Sequence, residues 1–68
     1  MKKKVTPRQR EVLDCITEGL RNKEIADTMF ITEKSVEAHI NRLFKQLEFD
    51  NRVKLAVWWA LKKREVAL

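Results

Sequence analysis

Tyrosine is absent from this 68-residue chain, and cysteine, histidine, glycine and proline each occur once. A single thiol, Cys15, allows no intrachain disulfide and no thiol cluster for a metal. One histidine beside it leaves little for nucleophilic or zinc chemistry. There is no paired acid and base and no glycine-rich phosphate loop, so neither an enzyme nor a cofactor is expected. A lone Gly19 and a lone Pro7 also argue against an all-β domain, which needs turn residues roughly every 8–12 positions. Long apolar runs are missing too. The longest, "LAVWWAL", falls far short of the about 20 residues that span a bilayer. The start "MKKKVTPRQR" is basic with no apolar run behind it, which does not read as a signal peptide. The expectation is a soluble, cytoplasmic chain with no membrane partner.

What is present is charge and helix signal. Fifteen Lys and Arg stand against ten Asp and Glu, a net charge of +5 that points to a polyanionic partner. The length fits one small domain, near the lower limit for an unaided apolar core. Residues 1–5 read as a basic arm and residues 6–65 as the domain.

Helix boundaries follow from capping chemistry. In "TPRQ", Thr6 is an N-cap, Pro7 takes the first helical position and Gln9 completes a capping box. Val12, Leu13 and Ile16 form a stripe and Gly19 is the stop, giving a first helix over about 7–18. Cys15 falls on the apolar side of this helix and is expected to be a buried structural thiol. Asn22 is expected to cap a short second helix over about 23–29, with Ile25, Ala26 and Met29 inward. Thr32 caps a third over about 33–47, with Val36, Ile40, Leu43, Phe44 and Leu47 inward. "EFDN" then breaks the pattern, and Asn51 caps a fourth over about 52–64. The fold class is all-α with four helices. The spacing Ile25-Ala26-x-x-Met29-x-Ile31, followed by Val36, matches a helix-turn-helix: small Ala26 permits close approach and the apolar residues fill the angle.

Three ordered stretches, "VTPRQREVLDCITEGL", "NKEIADTMFITEKSVEAHI" and "KQLEFDNRVKLAVWWAL", carry a resemblance over about residues 5–62. They resemble the DNA-binding domain of the LuxR family of bacterial transcription regulators, of the NarL/FixJ response-regulator type. The resemblance implies a four-helix helix-turn-helix domain whose third helix enters the major groove of double-stranded DNA. It also implies a fourth helix that mediates a weak homodimer, and RNA polymerase as a further partner. Family members usually carry a second domain that receives phosphate or a small signal molecule, and none is evident in this stretch. Three positions depart from the family pattern. Arg21 replaces a common Ser, which shifts capping to Asn22. "LEFDNR" replaces the usual Leu-Gly, suggesting a looser turn. Phe30 stands where many helix-turn-helices place Gly, suggesting a different backbone there.

Winding the third helix at about 100° per residue puts Lys34, Ala38, Asn41, Arg42 and Lys45 opposite the apolar stripe. Such a face is basic and amide-bearing, and on a lone helix it would be merely solvated. Within a helix-turn-helix it is expected to meet DNA. Ala38 suits a thymine methyl, Asn41 an adenine edge, and Lys34 and Ser35 at the helix start a phosphate. Glu37 lies on the flank, where the resemblance implies a base contact. A carboxylate repels phosphates but accepts from cytosine N4 or adenine N6; the alternative is a plain ion pair with Lys34. His39, on the other flank, is expected to pack against the second helix. Asn22 and Lys23 are candidates for DNA-backbone contact.

The fourth helix is apolar nearly all round. Val53, Val57, Ala60 and Leu61 cover one side, Leu55, Ala56 and Trp59 the other, with Trp58 between. The family pattern turns Leu55, Ala56 and Trp59 inward and leaves Val57 and Trp58 for a second subunit. Two competing readings remain. One is a promoter-reading region of a sigma factor, which shares the "TPRE"-like opening but lacks the extra apolar helix. The other is a protein-binding anti-regulator that uses the same fold with the third helix idle.

Overall fold

The computed structural model describes residues 5–67, with side chains as far as residue 64. Its elements are four helices: α1 (Pro7–Thr17), α2 (Asn22–Met29), α3 (Glu33–Leu47) and α4 (Arg52–Ala67). Residues 1–4 of the expected basic arm lie outside the described residues. α4 continues beyond the expected end at 64 because no glycine or proline follows Gly19 to stop it.

Capping chemistry sets most of the boundaries. The Thr6 hydroxyl accepts from the Gln9 amide at 3.1 Å, and Gln9 Oε1 accepts in return from the Thr6 amide at 3.0 Å. Thr32 Oγ1 accepts from the Ser35 amide at 3.1 Å, and Asn51 Oδ1 from the Lys54 amide at 2.9 Å. The expectation for Asn22 was wrong. It is the first residue of α2, and Arg21 is the N-cap by backbone alone. The Glu24 carboxylate takes the Arg21 amide at 2.7 Å, so one of the free amides at the start of α2 is satisfied without a side-chain cap at its head.

Two further expectations are corrected at helix ends. Phe30 and Glu48 both adopt the left-handed backbone that glycine usually supplies, with φ of 59° and 61°. Each therefore ends its helix tightly: the Ile31 amide returns to the Ala26 carbonyl at 3.0 Å, the Phe49 amide to the Phe44 carbonyl at 3.1 Å. Neither turn is looser or of a different backbone. The pull comes from Ile31 and Phe49, whose side chains pack onto the core just beyond each turn.

The core holds Val12, Leu13 and Ile16 of α1, Ile25, Ala26 and Met29 of α2, Val36, Ile40, Leu43 and Leu47 of α3, and Leu55 of α4. α1 packs against all three other helices, and α2 packs on α3. Cys15 is buried, and burial followed by the charges of Glu18, Asp14 and Glu11 pushes its thiol pKa up. It therefore stays a protonated packing group. Gln9, the buried polar side chain, donates from Nε2 to Gln46 Oε1 at 3.1 Å and so ties α1 to α3. Asp14 joins α1 to α4, accepting from Trp59 Nε1 at 2.7 Å and Lys63 Nζ at 2.9 Å.

Candidate nucleic-acid interface

α3 divides cleanly into two faces. Val36, Ile40, Leu43 and Leu47 are at most 5 % exposed, which anchors one side in the core. Lys34, Glu37, Ala38, Asn41, Arg42 and Lys45 are all exposed on the other. The buried stripe recurs every three or four residues, so the 3.6-residue repeat forces the intervening positions outward. Among the described residues none of the five polar ones has an ion pair or a side-chain hydrogen bond within the chain. The alternative that Glu37 serves only to pair with Lys34 thus finds no support. Phe44, expected inward, is half-buried against the core, and His39 is half-buried on its flank.

The start of α3 is partly spoken for. Ser35 is half-buried; its amide bonds Thr32, and its Oγ accepts from the Thr32 hydroxyl at 3.2 Å. What Ser35 offers a phosphate is its own O–H. Lys34 beside it is exposed.

At α2 the two backbone-contact candidates differ. Lys23 is exposed, whereas Asn22 is half-buried and its Oδ1 accepts from Arg52 Nη1 at 2.6 Å. Arg52 Nη2 donates at 2.7 Å to the Leu20 carbonyl. Sequence reasoning missed Arg52 altogether, because a side chain 30 residues from its partner leaves no local pattern.

The apolar outer side of α4 also differs from expectation. Trp58 is half-buried: its ring lies 6.1 Å edge-on from Phe49 and 5.9 Å from Trp59, with Lys62 Nζ 5.9 Å above it. Val57 is 53 % exposed and is joined by Val53 at 70 % and Leu61 at 54 %. The stripe open to solvent is therefore Val53, Val57 and Leu61, at four-residue spacing, and Trp58 belongs largely to the core's edge. Phe49 was the missed signal, since it gives the indole a partner within the chain.

A family model described as bacterial regulatory proteins, luxR family, matches residues 3–59. The chain belongs to the luxR family. This luxR-family chain is a DNA-binding helix-turn-helix domain of transcription regulation, and its family consists of regulators rather than enzymes. It is 43 % identical over 54 residues to the nitrate/nitrite response regulator protein NarL of Escherichia coli, covering 79 % of this chain and 25 % of that protein. It is 40 % identical over 60 residues to the DNA-binding transcriptional activator DevR/DosR of Mycobacterium tuberculosis, covering 88 % of this chain and 28 % of the relative. With the transcriptional regulatory protein LiaR of Bacillus subtilis it shares 41 % over 54 residues, 79 % of this chain and 26 % of LiaR. The luxR-family chain thus spans about a quarter of the length of these relatives. Among the described residues no helix is long and apolar enough to cross a membrane.

Proposed function

We propose that α3 is the recognition helix of a sequence-specific regulator and lies in the major groove of double-stranded DNA. The observation that carries this is the outer face of α3, a set of unpaired, exposed polar side chains opposite a fully anchored apolar stripe. Lys34, the Ser35 hydroxyl and the helix start hold phosphate, with Asn22 and Lys23 on the backbone at α2. Ala38 approaches a thymine methyl, Asn41 pairs with an adenine edge, and Arg42 and Lys45 supply charge along the groove. Glu37 accepts from cytosine N4 or adenine N6. Its carboxylate sacrifices affinity for discrimination, since it repels phosphates and rejects base edges that cannot donate.

Residues 6–65 form the DNA-binding unit and residues 1–5 a basic arm. A second copy docks on α4 through Val57 and its neighbours, giving a weak homodimer whose symmetry sets the spacing of half-sites. The protein works in the bacterial cytoplasm, without cofactor or catalytic role, with RNA polymerase as its partner at promoters.

Titration of a preferred duplex and its single-base variants at fixed salt tests the reading. Lys34→Ala should weaken binding to every duplex and lower the salt slope by roughly one unit. Glu37→Ala should leave non-specific affinity level or higher, while discrimination at one base pair falls by about 1–3 kcal/mol. Equal tightening on all duplexes, with base preferences intact, would remove Glu37 from the reading surface.

A further inference from the structure

Arg52 stands at the first position of α4, yet both arms of its guanidinium reach away from that helix. One ends on Asn22 Oδ1 at 2.6 Å, the other on the Leu20 carbonyl at 2.7 Å. A guanidinium carries only donors. Its partner atom on Asn22 must therefore be the oxygen, and the amide cannot be turned the other way round. The planar amide then presents its Nδ2 hydrogens away from Arg52, as donors, at the head of α2. The next residue along the helix, Lys23, is exposed. An unrestrained asparagine would present either end to a passing phosphate, and the carbonyl end is repelled.

We infer that Arg52 is a positioning residue: it fixes the Asn22 amide so that its NH2 group, together with Lys23, grips a DNA phosphate. This rests on the reading that the start of α2 lies against the DNA backbone. The contact also links α4, with its open apolar stripe, to the DNA-facing side. Whatever shifts the first turn of α4 shifts the orientation of Asn22 too.

The chemistry separates this role from folding through one substitution. In Asn22→Asp the carboxylate sits beside the guanidinium in a charge-assisted pair, so the chain should melt no earlier than the parent. The group turned outward is then an oxygen bearing negative charge, and binding should fall by roughly tenfold or more. Asn22→Ala should bind more weakly than the parent but better than Asn22→Asp. Arg52→Lys keeps the charge while one ammonium replaces the two-armed fork. It should weaken binding without changing the salt slope, and in the Asn22→Ala background it should cost nothing further.

The experiment is a set of titrations of the four single and double variants against a mixed-sequence duplex at several salt concentrations, with thermal melts of each chain. Losses from Arg52→Lys and Asn22→Ala that multiply would overturn the inference and make Arg52 an independent contact. Asn22→Asp binding as well as Asn22→Ala would overturn the fixed amide orientation. Asn22→Ala binding like the parent would overturn the underlying contact at α2, and this inference with it.

Discussion

Phe30 is a large aromatic ring held 93 % exposed on a left-handed backbone. Left-handed conformation costs an ordinary residue about 1–2 kcal/mol relative to the right-handed one, and glycine avoids that cost. Nothing packs around the ring to repay it. Phe30→Gly should therefore raise stability by up to about 1 kcal/mol, after allowing for the extra freedom glycine gives the unfolded chain. Urea unfolding measures this; a clear loss of stability would mean that the ring makes contacts which offset its strain. Residues of this kind show where local sequence rules stop. Thr6, Thr32 and Asn51 were legible because a cap acts on an amide only a few residues away. Phe30 and Glu48 were not, because burial of Ile31 and Phe49 beyond the turn, rather than the turn residue itself, selects the conformation. Asn22 was misread for a similar reason: its side chain accepts from a distant arginine, and it is Glu24 that takes the Arg21 amide at the helix start.

At the scale of helices, Asp14 clasps α1 to α4. Burial tends to raise its carboxyl pKa, but the hydrogen bonds from Trp59 and Lys63 and the Lys63 charge outweigh it, so the group stays below the usual carboxylate range. The folded chain thus gives up this proton more readily than the unfolded one. The resulting stability is complete at neutral pH and is lost as pH falls through the folded value. Asp14→Asn should cost about 1 kcal/mol at pH 7, a figure reduced for the solvent that reaches Lys63. The gap between variant and parent should begin to narrow below about pH 4, where the unfolded chain's carboxyl takes up its proton, and close only as pH falls further, through the lower folded value. Unfolding curves followed from neutral pH down through this range check this, and a gap that persists in strong acid would assign the loss to packing. The faces of α1, α2 and α3 were legible because each carries one apolar stripe. In α4, apolar nearly all round, periodicity alone cannot choose the inner side; the family pattern did, and Leu55 is fully buried with Ala56 and Trp59 packed on the core as expected. Trp58 was not legible, because it packs on Phe49 of the preceding turn.

For the whole molecule, that choice decides which surface is left for a second copy. Val57→Glu places a charge in the middle of the open stripe, at a residue 53 % exposed and outside the buried core. It should leave the melting temperature within a few degrees of the parent, shift sedimentation fully to monomer, and weaken binding to paired half-sites more than to a single one. Unchanged sedimentation together with unchanged half-site cooperativity would remove α4 as the dimer surface. Trp58→Ala is a poorer probe, since it also strips the packing on Phe49 and Trp59. The Asp14 clasp has a consequence in time as well as in strength. α2 and α3 are neighbours along the chain, whereas Asp14 is 45 residues from Trp59 and 49 from Lys63. Closing so long a loop is entropically costly, so the clasp belongs to the late side of the folding barrier while the α2–α3 pair condenses early. Rapid mixing should then show Asp14→Asn unfolding faster at an almost unchanged folding rate. On this expectation the α2–α3 pair, proposed above to meet DNA, assembles first, and the α1–α4 clasp acts as the latch that governs how long the finished domain lasts.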